Sequence, residues 1–302
     1  MKFSLIIATY NRSRSLVRAL KSVVLQTATP VEWECVVVNN NSTDSTAADF
    51  AAFAAAHPQF NLRMINELKQ GLSNARNCGI ANSSGEYIAI IDDDETIVPE
   101  YVEAYIDFFD RCREALAAGG AVIARYETAR PKWMSRYTEQ MIANPIGFGR
   151  GVGHFPAGRI PAGGNMAFRR EAFARYGGFN PALGRNGKSL SGGEESDLFE
   201  RMRAAGDVLY YVPQATIYHH IPDEKLTAER FDRLSYAVGR SKYLRAELHG
   251  TESALLADEK RKRLYTAVLA LFYVLTFRPA KAKWLVAMRR GIGKGIADQK
   301  SE

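Results

Sequence analysis

The first half of the chain alternates short apolar bursts with stretches of helical spacing, and few architectures accommodate that rhythm. "FSLIIA" (3–8), "WECVVV" (33–38), "FNLRMI" (60–65), "YIAII" (87–91) and "AVIARY" (121–126) read as strands. Between them, residues 13–26, 43–56, 73–82 and 100–117 read as helices, with Pro99 suited to a first helical turn. Strands alternating with helices predict an α/β fold, with a mostly parallel central sheet flanked by helices. Such sheets bind ligands beyond the carboxyl ends of their strands. Three polar clusters follow strands there, "TYNR", "NNNSTDST" and "DDDE", and the pattern predicts that they face one crevice.

Residues 127–193 are less regular and rich in Gly, Pro and aromatics, as loops around a site would be. A short helix at "REAFARYG", a loop opening a helix at "LSGGEESDLFERMRAAG" and two closing strands, "VLYYV" and "TIYHHI", follow. From Leu226 the spacing is helical to the end, which divides the chain into 1–225 and a helical region, 226–302. Cys35, Cys78 and Cys112 are odd in number and widely spaced, which argues against a disulfide framework or structural zinc and for a reducing, cytoplasmic setting. The net charge of +7 concentrates in the tail instead of forming a stripe interleaved with aromatics, so no nucleic-acid partner is expected. "MKFSLIIATYNR" has too short an apolar run for a signal peptide, and no run reaches the length of a membrane span.

The strand "YIAII" ends in four acids, Asp92, Asp93, Asp94 and Glu95. Adjacent like charges repel, and a buried strand end solvates them poorly. One resolution is a solvated turn that feeds acids into the N-terminus of the next helix. The other is a divalent cation held by hard oxygen ligands, which suggests an anionic ligand such as a diphosphate. Arg12, Lys69 and Arg76 supply counter-cations, and "GLSNARNCGI" sets Ser73, Arg76 and Asn77 on one helical turn.

"SLIIATYNR", "VVVNNNSTDST", "GLSNARNCGI", "YIAIIDDDE", "GGNMAFRREAFARYGGFN" and "GGEESDLFERMRAAG" occur in this order over residues 3–222. In this set the chain resembles the family 2 glycosyltransferases, inverting enzymes of the type A nucleotide-sugar fold. The resemblance implies a nucleotide-sugar-binding catalytic domain over 1–225, a nucleoside-diphosphate sugar donor, and a Mn2+ or Mg2+ cofactor. Thr9, Tyr10 and Asn11 would line the nucleobase and ribose pocket, with Arg12 among the donor's counter-cations. Asn39 stands where the family usually has an aspartate contacting the base, a departure that leaves the base open. Arg76 would sit against the base or diphosphate, Asp92 towards the ribose and Asp94 on the cation, with Asp93 in the variable middle position. The implied acceptor is the hydroxyl of a glycan or lipid-linked sugar in cell-surface polysaccharide synthesis.

Transfer to a hydroxyl needs a base on the attacking oxygen. "GGEESDL" offers Glu194, Glu195 and Asp197, which could equally serve as dipole-complementing acids at a helix start. The family has Glu-Asp where this chain has Glu194-Glu195, and its second acid is the base, so Glu195 is the candidate and Glu194 the alternative. Strand alternation sets His219 in phase with Ala215 and Ile217 and opposite His220, and either can be a packed or surface histidine. The family often carries a histidine there that completes the cation's shell, a role that falls to His219. A processive synthase would carry Q-x-x-R-W and membrane helices, and a nucleotidyltransferase a glycine in the loop held by "TYNRSRS". A non-catalytic sugar-nucleotide or partner-binding member of the fold is the alternative.

The tail encloses an apolar run, Leu264 to Phe277, between Lys260–Arg263 and a second basic group from Arg278 to Arg290. Its fourteen residues would rise about 21 Å as a helix, short of a hydrocarbon core of about 30 Å. Peripheral membrane contact through 260–290, a cap on the catalytic domain, and a homodimer contact are the readings it allows.

Overall fold

The computed structural model describes residues 1–29, 32–187 and 189–302. In chain order the elements begin β1 (Phe3–Thr9), α1 (Ser13–Val23), β2 (Trp33–Asn39), α2 (Thr46–Ala56), β3 (Leu62–Asn66), α3 (Leu72–Ala81), β4 (Tyr87–Asp92) and β5 (Glu95–Ile97). Next come α4 (Tyr101–Arg111), β6 (Ala117–Tyr126), α5 (Arg136–Ile142), β7 (Gly153–His154), β8 (Met166–Arg169), α6 (Glu171–Tyr176) and α7 (Glu194–Ala204). The chain finishes with β9 (Leu209–Ile221), α8 (Ala228–His249), α9 (Glu252–Leu275) and α10 (Pro279–Ser301). Two compact units divide these. One comprises Met1–Arg125, Pro145–Ala182 and Glu194–His220; the other comprises Tyr126–Asn144, Leu183–Gly193 and Ile221–Glu302.

In the first unit the described strands form a sheet of order β3-β2-β1-β4-β8-β6-β9-β5, with β7 on β9. β3, β2, β1 and β4 are parallel, and β8 lies antiparallel to both β4 and β6. β1 and β2 are buried along their whole length, which is why they read as continuous apolar runs instead of alternating ones. The parallel register sets Thr9 opposite Asn39, Asn39 opposite Asn66, and Ala8 opposite Asp92. The three polar clusters therefore leave the sheet at one level.

Departures from the expected elements have local causes. The helix expected to 117 stops at Arg111, because Ala117, Ala118 and Gly119 pair with Phe168, Ala167 and Met166. That pairing is long-range, and helix propensity carries no trace of it. "VLYYV" and "TIYHHI" form one strand, β9, that runs through Pro213. β7 pairs at Tyr210 and Tyr211 and β5 at Ile217 to His219, so Pro213 falls between two short partners, where its missing N–H interrupts neither ladder. The next helix begins only at Tyr101, so the four acids occupy the end of β4, a turn and the start of β5 and do not decorate a helix N-terminus.

The second unit is helical. α8 and α10 approach so closely that a Cβ on Gly239 would lie 2.1 Å from the Ile292 carbonyl oxygen, and one on Gly295 2.1 Å from that of Tyr236. Trp133 stacks on Trp284 at 3.8 Å between ring centres, with Phe231 edge-on to both. Buried Glu259 of α9 accepts from Lys242 of α8 (2.9 Å) and Arg289 of α10 (2.6 Å), one acid tying three helices. Among the described residues no helix is long and apolar enough to cross a membrane.

Candidate active site

The loops beyond β1, β2 and β4 are bonded to one another. Asn11 adopts φ 51°, a left-handed conformation that asparagine tolerates better than most residues. From there its N–H donates to Ser42 Oγ (2.9 Å) and its Oδ1 accepts from the Thr43 N–H (2.7 Å). Asn39 is buried; its Oδ1 accepts from the Ser42 N–H (3.0 Å) and its Nδ2 donates to Asn66 Oδ1 (3.2 Å). Asn40, unremarked in the sequence, donates to the carbonyls of Glu67 and Lys69 and accepts from the Gly71 N–H, each at 2.8 Å, fixing the loop that opens α3. Tyr10 is exposed at the rim, and Thr9 is buried, donating to Asp93 Oδ2 at 2.9 Å.

Arg12 reaches from the first loop into the acids, with Nη1 3.0 Å from Asp93 Oδ1 and 2.8 Å from Asp94 Oδ2. Burial pushes the Asp93 carboxyl up to about 6 against the pull of Arg12, while Asp93, despite the desolvation, holds the guanidinium charged. Buried Glu95 turns back, and its Oε2 accepts from the Asp92 N–H at 2.9 Å. A Cβ on Gly164 would lie 2.2 Å from Glu95 Oε1, so a side chain there would have to displace the Glu95 carboxylate. His219 pairs with Glu95 in the β5–β9 ladder, and its Nε2 lies 3.8 Å from Asp94 Oδ1. His220 instead meets Thr96 Oγ1 at 2.9 Å, and burial, followed by Arg18, lowers it to about 4, which keeps it neutral.

The donor set fits a hard divalent cation. Asp92, Asp94 and Glu95 each offer one carboxylate oxygen, all within 4.8 Å of one another. Among the described residues this is the group of ligating side chains with that spacing, and Glu95 belongs to it although the sequence motif singled out Asp92 and Asp94.

Arg76 links the acids to α7. It is 1% exposed, with Nη1 2.7 Å from Glu194 Oε1 and Nη2 2.9 Å from both Asp92 Oδ1 and the Gly163 carbonyl. Its guanidinium lies 5.6 Å from the centre of the Phe179 ring. Glu194 is 3% exposed, and burial, followed by the charge of Glu195, pushes its carboxyl up to about 7 although Arg76 pulls down. Its Oε2 is buried with no hydrogen-bond partner among the described residues. Glu195 is half-buried, its carboxyl carbon 3.6 Å from where a Gly163 Cβ would stand. Asp197 is taken by Arg201 at 2.8 Å. Contacts thus join Thr9, Arg12, Arg76, Asp92, Asp93, Asp94, His219 and Glu194, while Tyr10, Asn11 and Asn39 lie along the loops of β1 and β2. Asn165, which the sequence left unmarked, is fully buried; it accepts from the hydroxyls of Tyr101 and Tyr105 and donates to the carbonyls of Ala121 and Ala215.

The model of the family described as "Glycosyl transferase family 2" matches residues 4–177, more than half of the chain. The chain belongs to glycosyl transferase family 2. It is 27% identical over 280 residues to the glucosyl-dolichyl phosphate glucuronosyltransferase of Haloferax volcanii, covering 91% of this chain and 85% of that one. It is 26% identical over 298 residues to the succinoglycan biosynthesis protein ExoM of Rhizobium meliloti, covering 96% and 90%. Among solved structures it resembles the mannosyltransferase PcManGT from Pyrobaculum calidifontis in complex with GDP-Man and Mn2+, with a TM-score of 0.63, 16% identity, and coverage of 99% and 88%. It also resembles S. aureus TarS 1-349 in complex with UDP-GlcNAc, with a TM-score of 0.55, 17% identity, and coverage of 99% and 93%. The fold is the type A glycosyltransferase fold, and the chain is a glycosyltransferase.

Proposed function

We propose that this glycosyltransferase moves a sugar, with inversion and with the help of Mn2+ or Mg2+, from a nucleoside diphosphate to a hydroxyl of a glycan or lipid-linked acceptor. The observation that carries the reading is the meeting of Asp92, Asp94, Glu95 and His219 with two arginines and the Glu194–Glu195 pair at the carboxyl ends of the parallel strands. Asp94, Asp92 and Glu95, with His219 beside them, would hold the cation, which when bound neutralises charge on the leaving diphosphate. Thr9, Tyr10, Asn11 and Asn39 would receive the nucleoside, and Arg12 would exchange its acid partners for phosphate oxygens. Glu195 would take the proton from the acceptor hydroxyl. That oxygen forms its bond to the anomeric carbon as the bond to the diphosphate breaks, and the electron pair leaves with the phosphate oxygen. With no protein nucleophile, one in-line displacement inverts the centre.

Two features support Glu195 over Glu194 as the base. Glu194 is buried and held by Arg76, whereas Glu195 is half-buried. Arg76 then belongs between the donor acid and the base-bearing helix. The catalytic work falls to 1–225, with 226–302 as an associating region, in a cytoplasmic setting supported by three cysteines, none in a disulfide among the described residues.

Asp94→Asn keeps the shape and removes one charge from the cation's shell. Binding of a nucleoside diphosphate in the presence of Mn2+ or Mg2+ should weaken at least tenfold, about 1.4 kcal/mol. Calorimetry on the folded variant reads it, and an unchanged affinity would overturn the metal assignment.

A further inference from the structure

The apolar run of the tail occupies the last three turns of α9 and the turn beyond, and it is turned to solvent. Leu264 and Leu275 are each 70% exposed, and Val268 and Leu271 between them are also open. These four recur at i, i+4, i+7 and i+11, a stripe about 60° wide and about 16 Å long. Tyr265, Phe272 and Val274 widen it on either side, all exposed. Monomeric proteins seldom leave so continuous an apolar surface without a use for it.

The end of the helix makes the same point independently. α8 and α9 close with the same turn, in which a left-handed residue donates three residues back and the residue after it donates five back. In α8 these bonds run from Thr251 to Ala246 and from Gly250 to Glu247; in α9 they run from Arg278 to Tyr273 and from Phe277 to Val274. The turn needs a left-handed residue, and glycine meets that need freely. α8 uses Gly250 at φ 64°, whereas α9 uses Phe277 at φ 57°. A phenylalanine pays in backbone strain for that place, yet Phe277 is 95% exposed and has no burial within the chain to offset it. The return on that strain lies outside the chain.

Cations flank the stripe. Lys260 and Arg261 lie exposed at its start, and Arg278 and Lys283 at its end. That charge decides the occupant. A second copy packed α9 to α9 would meet the basic group of its partner in either direction, cation on cation. An anionic lipid surface accepts the apolar stripe at acyl depth and the cations among its headgroups.

We infer that the end of α9 and the turn after it, Leu264 to Phe277, are a docking surface for an anionic membrane, lying in the interface without crossing it. This deepens the proposed function by bringing the enzyme to where lipid-linked acceptors reside; it rests on that reading for its purpose and not for its test.

Flotation of the full chain with vesicles needs neither donor nor acceptor. The wild type should float with vesicles of phosphatidylglycerol and phosphatidylcholine at low salt, and should remain below with phosphatidylcholine alone. The triple variant Val268→Ser, Leu271→Ser, Leu275→Ser should lose at least tenfold in partitioning, with an unchanged melting temperature. Phe277→Gly should keep or raise the melting temperature while weakening binding, a pairing that a structural role would not give. A wild type that stays unbound to anionic vesicles overturns the inference. So does a concentration-dependent dimer that the triple variant abolishes, which would assign the stripe to a second copy. Calorimetry of nucleotide binding, run separately, reports on the catalytic proposal whatever the vesicles do.

Discussion

The crevice and the tip of α9 invert the usual rule of burial in opposite senses. At the crevice, charged side chains are buried: Arg76, Asp93, Asp94, Glu95 and Glu194 are each less than a tenth exposed. On α9 and the turn after it, leucines and phenylalanines stand in water. The crevice charges tolerate burial because they partner one another, Arg76 with Asp92 and Glu194, Arg12 with Asp93 and Asp94. The α9 side chains have no such account within the chain. The contrast teaches that an anomaly satisfied internally belongs to the protein's own machinery, and one left open is an invitation to something outside.

The sharpest way to break the comparison is to unpair the crevice. Arg76→Met removes the cation between Asp92 and Glu194 and its bond to the Gly163 carbonyl, and should cost about 3 kcal/mol in urea unfolding. A loss under about 0.5 kcal/mol would mean that the acids do not depend on that partner. Glu195→Gln acts on chemistry instead: turnover should fall about a hundredfold, close to 2.7 kcal/mol of barrier, with donor affinity unchanged. Wild-type turnover would move the base to Glu194 or Asp197, and lost donor binding would make Glu195 structural. The smallest effect belongs to α9. Leu271→Ser, an exposed exchange, should shift stability by no more than about 0.5 kcal/mol. A loss of about 2 kcal/mol or more would show that the stripe is covered in solution, and the two regions would cease to be opposites.

Much of the crevice was legible because its signals are local. The strand that ends in Asp92–Glu95, the loops after β1 and β2, and the pair Glu194-Glu195 each announce themselves within a few letters. Glu95 escaped because the motif spacing names the first and third acids, and only the backward fold of its side chain onto the Asp92 N–H brings it in. Asn40 and Asn165 escaped for a related reason: their partners lie about 30 residues or more away, and a single asparagine looks alike whether it caps a turn or ties four groups together.

The sequence by itself determined the α/β order, the parallel strands buried on both faces, the level at which the polar loops leave the sheet, and the helical tail. These follow from periodicity and from the short range over which helices and strands are specified. Only the tertiary structure decided that β8 enters the sheet antiparallel, that "AAGG" begins a strand, that β9 runs through Pro213, and that Arg76 is buried between Asp92 and Glu194. It also decided that the apolar stripe of α9 faces outward, which no hydropathy pattern distinguishes from a core face. Periodicity records which side of an element is apolar; what covers that side depends on residues far away in the chain, or on none of them.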